Sequence, residues 1–188
     1  MKFFTFYLLL SAFFLAACQP SAAPVSVSNR PVSINDVPQT NLPLPPIKDI
    51  ENLGWQTSGG NRQTLGELKG KVVILDFWAT YCPPCIEEIP HLAELQNQNK
   101  DLQIIGLHVG GDEDKPKVPA FVAKLKMNYP LGYPQDELTD FLFNGDDRIP
   151  QTFVFDKNGR LVKKFVGFDA QIKSALDEAV RQTLDSKN

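Results

Sequence analysis

Cysteine is scarce in this 188-residue chain: Cys18, Cys82 and Cys85 are all there is, too few for the set of bridges that staples small secreted domains. A disulfide formed here is working chemistry rather than scaffolding. Histidine is scarcer still, and neither His91 nor His108 has a partner at metal-ligand spacing, so both read as surface or packing residues and no metal or other cofactor is called for. A surplus of either charge is also missing. With 22 acidic against 19 basic residues the formal charge is -3, which leaves no electrostatic footprint for a nucleic acid. The 43% hydrophobic content excludes a disordered chain, and no internal repeat is found. Nor is there an apolar run long enough to span a bilayer comfortably: Phe3 to Ala17 is about 15 residues, short of the roughly 18 to 20 required.

That short run follows Lys2 and ends in small residues, the pattern of a signal peptide over residues 1–17. Leu15-Ala16-Ala17-Cys18 resembles the lipobox of bacterial lipoproteins, in which cleavage precedes an acylated cysteine. Cys18 is therefore the candidate lipid anchor, since two buried acyl chains already hold a protein stably. Gln19 stands where enteric lipoproteins carry Asp as an inner-membrane retention signal, and so slightly favours the outer membrane. Residues 18–46 hold seven prolines with Ser, Ala, Asn and Val and show no apolar period. They read as a tether reaching at most about 85 Å when extended.

Residues 47–188 carry the pattern of one folded domain. Val72 to Trp78 is an almost continuous apolar run rich in β-branched and aromatic side chains, which predicts a central strand buried on both faces. Helical spacing of Ile86, Ile89, Leu92, Ala93 and Leu95 predicts a helix from about Pro83 to Asn97, interrupted by Pro90, which removes a hydrogen bond and should kink it. A strand at about Leu102 to Val109 and an amphipathic helix marked by Val118, Phe121, Val122 and Leu125 follow, so the crossover between the two strands should be parallel and right-handed. Beyond an irregular stretch containing Pro130 and Pro134, a short helix is expected over Asp136 to Phe143. Thr152–Phe155 and Leu161–Val166 flank an Asp-Lys-Asn-Gly turn and make a hairpin, and Ile172 to Leu184 mark a last helix. Trp55 to Leu65, around Ser58-Gly59-Gly60-Asn61, reads as an added N-terminal hairpin.

The chemistry concentrates at Cys82-Pro83-Pro84-Cys85, where the central strand turns into a helix. Cys82 then sits at the helix N-terminus with Cys85 one turn on, both on one face. Unpaired N–H groups and the positive end of the helix dipole favour an anion there and lower the thiol pKa, making Cys82 the exposed nucleophile toward disulfides. Cys85, deeper in the helix, is placed to attack the mixed disulfide. Asp76 lies in an otherwise apolar strand, where burial should raise its pKa and make it a proton acceptor. Glu87 and Glu88 read as helix-stabilising charges.

Asp76-Phe77-Trp78-Ala79-Thr80-Tyr81-Cys82-Pro83-Pro84-Cys85 resembles the active-site segment of thioredoxins, most closely the membrane-tethered TlpA/ResA-like branch. Pro90, Ile149-Pro150 and Val166-Gly167 match further signals of that family, and Leu102 to Phe143 is similar to the central insertion of the branch. Tyr81 departs from the Trp common before the first cysteine. The resemblance implies an α/β thioredoxin fold: a central mixed sheet flanked by helices, with an N-terminal β-hairpin and the central insertion. It implies a cis bond at Pro150, whose approach to the cysteines lets the Ile149 backbone, with Tyr81, Pro83 and Pro84, receive an extended substrate. It also implies that Asp76 helps to deprotonate Cys85.

The expected activity is disulfide exchange on other envelope proteins, as a reductant recharged by a membrane electron donor of the DsbD/CcdA type. Family substrates include apocytochrome c and redox-repair enzymes. The expected place is the periplasmic side of a bacterial membrane. The competing reading is a copper or other metal chaperone using the two cysteines. A structural zinc site wants four ligands where two are present, and the copper-delivering relatives use a wider cysteine spacing with a distal histidine.

Overall fold

The computed structural model describes residues 50–186, so the expected signal peptide, Cys18 and the tether lie outside the described residues. The domain is built on a seven-stranded mixed sheet. Its strands are β1 (Gly54–Thr57), β2 (Arg62–Thr64), β3 (Val72–Trp78), β4 (Leu102–His108), β5 (Leu131–Pro134), β6 (Gln151–Phe155) and β7 (Leu161–Val166). They lie in the order β2-β1-β5-β4-β3-β6-β7. The helices are α1 (Pro83–Gln98), α2 (Val118–Leu125), α3 (Asp136–Phe143) and α4 (Ala170–Asp185). This is the thioredoxin-like architecture that the resemblance implied, and β1 and β2 form the expected antiparallel hairpin.

The apolar run over β3 predicted burial on both faces, and all seven of its residues are buried. Alternation along the strand divides them. Val73, Leu75 and Phe77 join a core with Trp55, Leu107, Phe153 and the α3 residues Leu138, Leu142 and Phe143. Val72 and Ile74 join a second core with Leu92 and Leu95 of α1 and Leu176 and Val180 of α4. The same alternation turns Asp76 and Trp78 toward α1. Parallel pairing of β3 with β4 follows from the helix that links them, and β6 returns antiparallel on the other side.

The stretch between Pro130 and Pro134 differs from the expectation of irregular chain. Leu131–Pro134 is β5, parallel to β4 and antiparallel to β1, so it joins the N-terminal hairpin to the rest of the sheet. Gly132 makes the junction possible. A Cβ built there would stand 2.6 Å from Trp55 Cδ1 and 2.7 Å from the Gln56 carbonyl oxygen. Neither the indole, itself fully buried, nor the backbone has room to withdraw. Gly132→Ala should therefore destabilise the domain by about 1–3 kcal/mol, the usual range for overpacking. Urea denaturation checks this, and an unchanged midpoint would mean that β5 does not dock between β1 and β4.

Candidate active site

Three structural elements meet at the C-terminal end of β3. The strand ends at Trp78, the loop 79–82 crosses the sheet edge, and α1 begins at Pro83 with Cys82 as its N-cap. Cys82 and Cys85 are joined in a disulfide, with Cα atoms 5.3 Å apart. Pro83 and Pro84 fill the first two helical positions, where an N–H would have no helical partner. The first backbone donor offered to sulfur is thus the N–H of Cys85, which reaches Cys82 Sγ at 3.3 Å.

Cys82 is only 4% exposed and Cys85 fully enclosed, so Cys82, expected to be exposed, is buried in the disulfide form. Tyr81, 62% exposed, and Ile86 stand on the surface, flanking the Cys82–Cys85 segment in the chain. Ile149 packs against the cluster formed by Cys82, Cys85, Trp78 and Ile89. The Ile149–Pro150 peptide bond is cis, and the Pro150 carbonyl accepts from the N–H of Gly167 at 2.8 Å. Tyr81, Pro83 and Pro84 adjoin the cysteines along the chain, and Ile149, before the cis Pro150, packs against their cluster. Cys18 lies outside the described residues.

Beneath α1 the sheet presents a row of three residues in register: Thr152 of β6, Asp76 of β3 and Gly106 of β4. Gly106 has no side chain because Leu131, the Trp78 indole nitrogen and the Tyr129 ring would each stand within 3.0 Å of its Cβ. Asp76 is fully buried, and burial pushes its pKa well above the usual carboxylate range. The neighbouring Glu88 carboxylate pushes it the same way, and the Tyr129 hydroxyl opposes both.

Glu88 corrects the sequence reading. Read from the sequence only as a helix-stabilising charge, it is fully buried, and its Oε1 accepts from the Thr152 hydroxyl at 2.6 Å. Burial raises its pKa to about 7, against a smaller lowering by Thr152. The signal was present in the spacing: Cys85, Glu88 and Leu92 fall at intervals of three and four, so Glu88 lies on the same buried stripe of α1 as the second cysteine. Asp76 and Glu88 together make a buried, mutually repelling pair of acids whose proton affinities are both raised. Burial and the two acids push the Tyr129 pKa well above 10.0, so its hydroxyl stays protonated.

Both histidines are packing residues. His91 bonds Asp177 of α4 at 2.6 Å through Nε2, and His108 is enclosed between Trp78 and Tyr133. Among the described residues, no group of three or more His, Cys, Asp or Glu side chains is placed to hold a metal ion. No described helix is long and apolar enough to cross a membrane.

A family described as Redoxin matches residues 39–180. The thiol-disulfide oxidoreductase ResA of Geobacillus thermodenitrificans is 32% identical over 130 residues, covering 68% of this chain and 69% of that protein. The ResA of Bacillus cereus is 31% identical over 121 residues, covering 64% and 69%. Among solved structures, a thiol:disulfide interchange protein of the thioredoxin family from Chlorobium tepidum has a TM-score of 0.59 at 28% identity, covering 70% of this chain and 92% of that one.

The raised proton affinity of Glu88 has a direct consequence for stability. Glu88 ionises at its ordinary 4.5 when unfolded and at about 7 when folded, so between these values folding takes up a proton. Its contribution is complete below the lower value and is lost as pH rises through the upper one. Glu88→Gln has no proton to lose. It should flatten the fall in unfolding free energy between about pH 5 and 8, and exceed the parent by about 1–3 kcal/mol at the alkaline end, at about 1.4 kcal/mol per pKa unit. Parallel pH profiles for the two proteins would contradict the assignment.

Proposed function

The chain belongs to the redoxin family, and we propose that within it this thiol-disulfide oxidoreductase reduces disulfides of partner proteins in a bacterial envelope. The observation that carries the reading is the placement of Cys82 Sγ on the Cys85 N–H at the start of α1, with Glu88 on the same buried stripe of that helix and Asp76 as its coupled neighbour. In the reduced protein the Cys82 thiolate attacks a partner disulfide, forms a mixed disulfide and expels one partner thiolate, which takes a proton. Cys85 then gives its proton to the Asp76–Glu88 pair and attacks Cys82. The second partner thiol leaves, the partner has gained two electrons, and Cys82–Cys85 is oxidised. Asp76 is the acceptor nearest the sheet centre, and Glu88 holds the proton that keeps the pair singly charged.

An extended partner segment fits the apolar rim of Tyr81, Pro83, Pro84 and Ile149, beside the cis Pro150. Apocytochrome c and redox-repair enzymes are the substrates we favour, and a membrane dithiol donor of the DsbD/CcdA type must return the electrons. Acylated Cys18, after removal of residues 1–17, would anchor the tether on the periplasmic side of a membrane, with the outer membrane slightly favoured. The domain assignment, 47–188 folded and 18–46 tether, belongs to the same proposal.

The prolines set the direction of transfer. Neither Pro83 nor Pro84 has an N–H, so the Cys82 thiolate forgoes two donors, each contributing about 1.5–3 kcal/mol to a charged group. At about 1.4 kcal/mol per 30 mV, each donor forgone lowers the potential by roughly 30–60 mV. Equilibration with glutathione should give a value near -270 mV, the range of thioredoxin, and a value above about -170 mV would mark an oxidant instead.

The test of function is capture. Cys85→Ser should stall mixed disulfides on Cys82 in native envelopes, and mass spectrometry should identify partners bonded to that residue. Reduced wild type should alkylate at Cys82 before Cys85, and the reverse order would overturn the roles. Asp76→Asn should fold normally yet resolve the mixed disulfide about 10- to 100-fold more slowly near pH 7, within the span of general-base contributions. Unchanged resolution from about pH 6 to 8 would return Asp76 to a structural role.

A further inference from the structure

Asp114 is the one buried carboxylate of the described residues that disulfide exchange, as set out above, leaves unused while it touches the active-site loop. It lies after β4, 2% exposed, and stands as N-cap of the short helical turn Lys115–Lys117. An N-cap aspartate ordinarily bonds the N–H groups of its own helix. Asp114 makes no such bond. Its Oδ2 instead accepts from the backbone N–H of Thr80 at 2.8 Å and from His108 Nε2 at 3.0 Å, and its Oδ1 accepts from the Thr80 hydroxyl and from Lys117 Nζ at 3.1 Å. Burial works against the charge, but the bonds from Thr80, His108 and Lys117 outweigh it and hold the carboxyl well below the usual range. It is a permanent anion with four donors, two of them on the residue two positions before Cys82.

We propose that Asp114 is a positioning residue for the attacking thiol, latching the loop 79–82 to the segment after β4 so that Cys82 stays at the N-terminus of α1. This rests on Cys82 being the nucleophile. Among the described hydrogen bonds the loop has little else to hold it. Its internal bond is Cys82 N–H to the Ala79 carbonyl at 3.3 Å, and Trp78 is tied back by Val109 N–H at 2.9 Å. Between these points Thr80 is pinned by both its N–H and its hydroxyl to one carboxylate. The carboxylate is itself pinned. His108, stacked edge-on against Trp78 with centroids 5.2 Å apart, holds it from the sheet side. Gly110 lets the chain fold over it, because a Cβ at that position would stand 2.8 Å from both Asp114 Cβ and His108 Nε2. Beside the apolar packing of Ala79 and Cys82 against Val118, the chain that leaves β4 is thus hydrogen-bonded to the catalytic loop through the Asp114 carboxylate. Freed from it, Cys82 would spend less time where the Cys85 N–H and the helix dipole stabilise a thiolate.

Two substitutions test the latch without removing its charge. Thr80→Val keeps the shape of the residue and deletes the hydroxyl donor; Gly110→Ala pushes the carboxylate away from Thr80. Each should raise the Cys82 thiol pKa and slow its alkylation at pH 7 by roughly three- to tenfold, about the effect of one hydrogen bond. Thr80→Ser, which restores the donor, should return both to wild-type values. A merely structural contact would lower the thermal midpoint and leave the Cys82 pKa in place. An unchanged pKa in folded Thr80→Val and Gly110→Ala would overturn the proposal. Slow alkylation of Cys82 relative to Cys85 in the wild type would instead overturn the assignment of the nucleophile.

Discussion

The site depends on a carboxylate with nowhere to put its charge. Asp76 occupies the middle of a strand buried on both faces, between Thr152 on one side and the side-chain-free Gly106 on the other. An ionised group there loses its hydration, a cost of several kcal/mol that the chain limits by sharing one proton between Asp76 and Glu88. Because β3 alternates, the residue that carries the carboxyl points toward the helix that begins with the cysteines. The period of two thus delivers a proton acceptor beneath α1, while the adjacent residues Leu75 and Phe77 build the opposite core. Strand alternation and helix start together make the centre of the site, to which distant loops add Ile149 and Asp114.

The parts of the fold legible in the sequence are those whose period is their own. β3, β4, α1, α2, α3, the β6–β7 hairpin and α4 each bury a face or a whole strand, and their apolar residues recur accordingly. β5 has no such pattern. Leu131-Gly132-Tyr133-Pro134 is four residues bounded by proline, and what makes it a strand is the pair of neighbours it lies between. Only those partners explain why a glycine sits at its centre. Local propensity had nothing to report there, since proline and glycine disfavour strands on average and Gly132 is needed for close approach rather than conformation.

Glu88 was misread for a related reason. A charged residue early in a helix is favoured by the dipole, and that general rule supplied a sufficient surface role. The rule overlooked which face of α1 the residue shares. Cys85, Ile89 and Leu92 define the buried stripe, and a residue three after Cys85 cannot leave it without leaving the helix. The partner that makes burial tolerable, the Thr152 hydroxyl, comes from a strand 64 residues away. Helix position could have placed Glu88 inside; only the tertiary fold could have said what receives it.

Asp76 and Asp114 show how little burial alone determines about an acid. Both are almost wholly removed from solvent, yet one is pushed well above its ordinary pKa and the other held well below it. The difference lies in the donors. Asp76 meets the Tyr129 hydroxyl and the repulsion of Glu88, whereas Asp114 receives bonds from a backbone N–H, a hydroxyl, an imidazole and an ammonium. An acid of the first kind holds a proton more tightly than usual and is suited to take one up. An acid of the second kind keeps its charge through such a cycle, and its bonds do not slacken as protons move. The two ends of one short segment, from the middle of β3 to Thr80, are thus held by carboxylates in opposite states. The variable one lies where a proton must be taken up, and the fixed one where geometry must persist through each transfer.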